Sequence, residues 1–180
     1  ACHMARRDSR EAMTIFEGRD MSRQWAGLLG GLILAWLAVP SFAATDLPAA
    51  LDLRAESAQA SRAGGPLIVI YSRQDCKYCE AVKRDYLKPL AANPRYRDRV
   101  LVRQINQDGD TQALTDFKGG TSTHARVATA EKVKLVPVVA FYGPDGRQLA
   151  APIVGARLPD FYQSHLEDAV DQSARALKKP

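Results

Sequence analysis

The sequence predicts an α/β fold in which a central mixed β-sheet is flanked by helices. Three observations predict it. Apolar runs of β-formers alternate with segments of helical periodicity along the chain. The first run, residues 67–71, is uninterrupted, as expected of a strand covered on both faces. A later run, residues 138–142, leads into Gly143, Pro144, Asp145 and Gly146, a turn signal that folds the next run back as a hairpin.

Each element has its own signal. Residues 47–63 read as a helix, with Asp46 as a cap, Pro48 in the first turn, and Gly64, Gly65 and Pro66 as the stop. Residues 72–75 form a short polar loop. Residues 76–90 have helical spacing, with Val82, Tyr86 and Leu90 on one stripe and Pro89, Asn93 and Pro94 at the end. A second strand is expected at 100–106. The polar stretch after it, with Gly109, Gly119 and Gly120, is expected to hold a short helix at 111–117 and another helix at 123–132, an insertion before the third strand at 138–142. Residues 147–153 make the returning strand. In the last helix, 158–177, Phe161, Tyr162, Leu166, Ala169, Val170, Ala174 and Leu177 recur at helical spacing, and Lys178 and Lys179 complement its C-terminal dipole.

Composition narrows the class. The chain has 180 residues, 25 Lys and Arg against 20 Asp and Glu, 46% hydrophobic and 25% charged residues. These values sit near those of ordinary globular proteins and exclude collagenous, coiled-coil and wholly disordered classes. Arg95, Arg97, Arg99 and Arg103 gather around Tyr96, but Asp98 interrupts them and the spacing fits a solvated loop entering a strand. No nucleic-acid partner is expected. No nucleotide, flavin or phosphate loop is present in the sequence, so no cofactor is expected.

Residues 21–43 form a distinct block: Arg23, an uncharged run at 26–39, then Pro40 with the small residues Ser41 and Ala43. This is the pattern of a secretory signal peptide, and its apolar run is shorter than the ~20 residues a spanning helix needs. Cleavage after Ala43 is expected, with an uncleaved anchor as the alternative. Residues 1–20 are a mixed-charge extension of uncertain role, and residues 44–180 form one domain. Cleavage removes Cys2 and leaves Cys76 and Cys79, in an oxidising compartment that permits disulfides.

These two cysteines, Cys76 and Cys79, sit where a buried strand hands over to a helix. The first stands at the helix N-terminus, where unpaired N–H groups and the dipole favour a thiolate. The second, three residues on, shares the same helix face. Cys76 can attack a disulfide and Cys79 can resolve the mixed disulfide. Cys76 should be exposed and Cys79 shielded. Lys77 favours the thiolate, whereas Asp75 and Glu80 oppose it. The competing readings are an inert structural disulfide and a metal site. The latter lacks ligands, since only His124 and His165 remain after cleavage, far away in sequence, and each reads as a surface or capping residue. Tyr78 reads as a lip of the substrate groove, with a packed helix residue as the alternative.

The string LIVIYSRQDCKYC at residues 67–79 resembles the strand, loop and active-site helix of the thioredoxin superfamily. Val136 and Pro137 resemble that family's proline turn before its third strand, and Gly143 to Gly146 its hairpin. The resemblance spans residues 47–177 and implies a thioredoxin fold. It also implies thiol–disulfide oxidoreductase activity and a cis peptide at Pro137. A cis X-Pro turn exposes the backbone of Val136 beside the dithiol, ready to hydrogen-bond an extended substrate. A trans proline opening an edge strand is the alternative. The site residues implied are Cys76 and Cys79 for catalysis, and Lys77, Tyr78, Val136 and Pro137 for binding substrate.

The long segment before Pro137 resembles exported thioredoxin-like proteins of bacterial sulphur-oxidation and cytochrome-maturation systems. That resemblance implies a reductase of protein disulfides, for which a membrane thiol–disulfide electron donor is expected. A disulfide oxidase or isomerase and a non-catalytic binding module are the alternatives. The signal-peptide pattern implies a periplasmic location, with a membrane-anchored form as the alternative, and a monomer is expected. The sequence departs from cytoplasmic thioredoxins in three places: Ile70 stands where they bury an acid, Asp75 where they have Trp, and Lys77 with Tyr78 replace Gly-Pro.

Overall fold

The computed structural model describes residues 46–156 and 159–179. The extension expected at 1–20, the signal peptide expected at 21–43 and Cys2 lie outside the described residues.

Strand β1 (Leu67–Ser72) is buried along its whole length and sits at the centre of the four-stranded sheet. β2 (Leu101–Asn106) pairs with it in parallel, Leu67 opposite Leu101. β5 (Val138–Tyr142) pairs with its other edge antiparallel, and β6 (Gln148–Val154) pairs antiparallel with β5. The order is therefore β2-β1-β5-β6. A 3-10 turn (Pro144–Gly146) joins β5 to β6, with Asp145 at φ 61° and Gly146 at φ 76°.

Alternation along β1 explains its unbroken apolar run. Ile68 and Ile70 face a core layer with Val82, Leu87, Leu90, Tyr162 and Leu166. Leu67, Val69 and Tyr71 face a second layer with Leu53, Leu114, Phe117 and Tyr142. Each side chain so buried contributes roughly 1.5–3 kcal/mol. The first layer is roofed by the helical segment at 77–92 and by α5 (Pro159–Leu177). The second is roofed by α1 (Leu53–Arg62), a hairpin, and α4 (His124–Ala130).

The structure corrects three expected elements. Residues 47–51 do not start the first helix. They run beside β2, where Ala50 N–H donates to Gln104 O and Gln104 N–H to Pro48 O, both at 2.9 Å. An open edge of β2 would leave these groups unpaired, and the extended path buries Leu47 in one layer and Ala50 in the other. The cap of α1 is consequently Asp52, which accepts from Ala55 N–H at 2.8 Å, and not Asp46.

Pro89 does not end the helix after the dithiol. That helix runs as α2 (Lys77–Val82), a π-helical segment (Lys83–Leu87) and α3 (Lys88–Ala92), with Pro89 in the first turn of α3. The missing N–H of proline is tolerated there because the register has just been reset.

The short helix expected at 111–117 is a β-hairpin, β3 (Ala113–Thr115) with β4 (Thr121–Thr123). Its turn is held by Asp116, whose Oδ1 accepts from Lys118 N–H at 2.8 Å and Gly120 N–H at 2.9 Å, while Gly119 takes φ 88°. The local aspartate bonds and the threonines favour turn and strand over helix.

His124 is also corrected, because it is buried. Asn106 N–H donates to its Nδ1 at 3.1 Å, so Nε2 carries the proton and donates to Ala50 O at 3.0 Å. It ties α4 to β2 and the N-terminal segment. His165 is exposed. In the arginine cluster, Arg95 pairs with Asp171, Arg97 with Asp98 and Arg103 with Glu56, and the Arg95 guanidinium lies 5.1 Å from the centre of the Tyr96 ring.

Candidate active site

The loop between β1 and α2 is clamped from the side of β2. Gln107 N–H donates to Ser72 O at 2.8 Å, and Gln74 N–H donates to Asp108 Oδ2 at 3.0 Å. Asp75 then takes φ 55°, a left-handed turn that aspartate tolerates better than most residues. This turn places Cys76 at the N-cap of α2, in extended backbone conformation.

The Sγ of Cys76 accepts a hydrogen bond from Cys79 N–H at 3.2 Å, and its carbonyl accepts from Glu80 N–H at 3.0 Å. The two cysteines form a disulfide, with sulfurs 2.03 Å and Cα atoms 5.2 Å apart. Cys79 is fully buried, whereas Cys76 is 8% exposed. The expected order of exposure needs correction in degree. Cys76 opens only at its edge, because Asp75, Lys77, Tyr78 and Val136 shoulder it.

One of the charges near the dithiol, that of Glu80, is engaged by a residue further along the helix. Lys83 is buried, and its ammonium donates to Glu80 at 2.7 Å and to Asp46 at 3.3 Å. The charge of Glu80, which would oppose a thiolate, is thereby offset. Burial opposes ionisation of Asp46. The Leu47 N–H, the Lys83 charge and the Gln104 amide outweigh it and hold the Asp46 carboxyl below its ordinary range. Ile70, where an acid is absent, belongs to the apolar layer beneath α2.

Two grooves meet at Tyr78 and Val136, beside the dithiol. The first, about 340 Å³, has Cys76, Lys77 and Tyr78 on one wall and Lys134, Leu135 and Val136 on the other. The second, about 330 Å³, runs between Tyr78 and Val136 over Pro137 to Gly155 and Ala156. Tyr78 is 72% exposed and stands between them, so it is a lip and not a packed residue. The Val136–Pro137 peptide is cis, and Pro137 O accepts from Gly155 N–H at 2.8 Å. Among the described residues, the backbone N–H and C=O groups of Lys134, Leu135 and Val136 have no hydrogen-bond partner.

The fold therefore brings Cys76, Lys77, Tyr78 and Val136 to one groove and Pro137 to the adjoining one, with Cys79 beneath. Sequence reasoning missed Arg73, Lys134 and Leu135 in the first groove and Lys83 under the helix. Lys134 and Leu135 had a signal in their position just before Val136, and Lys83 in its spacing of three from Glu80. Among the described residues, no three His, Cys, Asp or Glu side chains are gathered as a metal site.

Comparison with known proteins gives the family of the chain. The thioredoxin-like domain family matches residues 53–169. No curated protein sequence matches the chain. Among solved structures, oxidised mitochondrial thioredoxin 3 of Saccharomyces cerevisiae is 15% identical, with a TM-score of 0.45 over 69% of this chain and 93% of its own. A thioredoxin-fold protein of Helicobacter pylori is 17% identical, with a TM-score of 0.44 over 61% of this chain and 71% of its own. Trxlp of Edwardsiella tarda is 23% identical, with a TM-score of 0.43 over 60% and 87%. With its family match, its mixed four-stranded sheet and its Cys76–Cys79 pair, the chain belongs to the thioredoxin-like domain family.

Proposed function

We propose that this protein is an exported thiol–disulfide oxidoreductase that reduces protein disulfides. The observation that carries the reading is the opening of Cys76 onto a groove whose far wall, at Val136, offers unpaired backbone groups. In the dithiol form, the Cys76 thiolate attacks one sulfur of a substrate disulfide. That S–S bond breaks, a mixed disulfide forms, and the departing substrate thiolate takes up a proton. Cys79 loses its proton and attacks Cys76, releasing the second substrate thiol and closing the 76–79 disulfide. Two electrons and two protons pass to the substrate.

Cys76 is the nucleophile, Cys79 the resolving thiol, and Val136, Pro137, Tyr78 and Lys77 position the substrate chain. The Cys79 N–H and the Lys77 charge favour the thiolate of Cys76. The leader pattern at 21–43 supports work in a periplasmic, oxidising space, where an electron donor must restore the dithiol; a membrane thiol–disulfide carrier is the candidate. The test is insulin-disulfide reduction driven by dithiothreitol. Wild type should accelerate it and Cys76→Ser should run at the uncatalysed rate. Equal rates for the two would leave the pair as an inert staple in a binding module.

A further inference from the structure

The first groove carries more cations than thiol chemistry requires. Arg73, Lys77 and Lys134 line it against one acid, Asp75. Among the described residues, none of these three cationic side chains has an ion pair or hydrogen bond. Beyond Lys134 the wall continues into a third groove, about 260 Å³, over Leu135, Val138, Pro152 and Val154, with Lys132 beside it. Its one acid, Glu131, already accepts from the Tyr142 hydroxyl at 2.9 Å. Tyr78, Leu135 and Val154 are each more than half exposed, at 72%, 71% and 56%. An apolar track rimmed by unengaged cations thus runs past the Cys76 sulfur.

The geometry points to acidic, extended protein segments as the preferred substrates: a cysteine flanked by carboxylates, with an apolar residue nearby in sequence. This rests on thiol–disulfide exchange at Cys76. An extended strand alternates its side chains between two directions. One set packs on Leu135 and Val154, and the other meets Arg73, Lys77 and Lys134. The unpaired backbone of Lys134, Leu135 and Val136 supplies a short edge for strand pairing. A small acidic thiol could meet the cations but would leave this edge and the apolar track empty, which favours a polypeptide. The attraction acts mainly on encounter and is screened by salt.

The test uses three disulfide-linked peptides that differ only in the two residues flanking the cysteine: Glu, Gln or Lys. Their second-order rates of reduction by the dithiol form of the full chain are measured by stopped flow. The Glu peptide should react about tenfold faster than the Lys peptide at low salt, with the gap closing near ~0.5 M. The double substitution Arg73→Glu with Lys134→Glu should reverse the order. Equal rates for the three peptides, with exchange intact, overturn the inference and leave the redox reading standing. Glutathione disulfide outpacing the Glu peptide overturns the choice of a polypeptide. No exchange with any substrate overturns the redox reading and this inference with it.

Discussion

Cys79 N–H donates to the Sγ of Cys76 at 3.2 Å, so the proposed nucleophile caps the very helix that carries its partner. One backbone group thus does two jobs. It satisfies an orphan donor at the helix start, and in the dithiol form it would hold charge on Cys76. The second sulfur lies fully buried behind it, reachable by Cys76 and closed to substrate.

This division of labour predicts opposite behaviour for the two single substitutions. Cys79→Ser keeps the backbone donor and the groove but removes the resolving thiol. It should accumulate a mixed disulfide with a protein substrate, read by non-reducing mass spectrometry, while Cys76→Ser forms none. A comparable adduct on Cys79 in the Cys76→Ser protein would reverse the assigned roles.

The Asp46–Lys83 contact predicts an acid limb of stability. The Asp46 carboxyl is held below its ordinary 3.8 in the folded chain. A depressed carboxylate contributes stability that is present above the unfolded value and lost as pH falls through the folded one. The urea midpoint should therefore decline below about pH 4, and Asp46→Asn should flatten that decline. Asp46 is more than half exposed, so the change is small. An unchanged acid limb in Asp46→Asn would remove Asp46 from the account.

Buried phenols predict an alkaline limb. Tyr71 and Tyr142 share a hydrogen bond at 2.9 Å, and Tyr142 also donates to Glu131. Burial raises the pKa of both Tyr71 and Tyr142; at Tyr71 the hydrogen bond with Tyr142 offsets part of the rise, whereas at Tyr142 the neighbouring Tyr71 and Glu131 add to it. Burial, with the nearby Tyr86, raises the pKa of Tyr162. Unfolded tyrosines ionise near ~10. Above that pH the unfolded chain has lost protons that the folded chain keeps, so stability falls as pH rises. Each such phenol adds about 1.4 kcal/mol per pH unit to the slope. Denaturant titrations from pH 9 to 11 should show it, and Tyr162→Phe should lower the slope by one phenol's share.

Gly65 lies where the chain passes from α1 to β1, with its Cα against the carbonyl of Arg99. A Cβ there would collide with that backbone oxygen, so the chain would have to shift. Gly65→Ala should cost about 2 kcal/mol or more, measured by chemical denaturation. A neutral result would mean that the junction at Arg99 is looser than its packing indicates.

What the sequence made legible was mostly local. The dithiol after an apolar strand, and Val136 with Pro137 before another, are readable because neighbours in the chain remain neighbours in the site. The β3–β4 hairpin was missed because three-residue strands are too short for a period of two to stand out. The path of residues 47–51 was missed because only the open edge of β2, some 50 residues on, selects it. Lys83 looked like any helix-surface lysine. Its burial depends on the π-helical segment and on Asp46, 37 residues away. The cations of the groove come from the β1–α2 loop, the start of α2 and the segment before Pro137, which meet only in the fold.

The most direct test of a thiolate held at the head of α2 is alkylation of the reduced protein. Iodoacetamide rates at Cys76 and Cys79, resolved by peptide mass spectrometry across pH 4 to 10, give both reactivity and midpoint. The account predicts rapid labelling of Cys76 at neutral pH, with a midpoint below the ~8.5 of a free thiol, and slow labelling of Cys79. A Cys76 that is inert at neutral pH, or equal rates at the two positions, would contradict it.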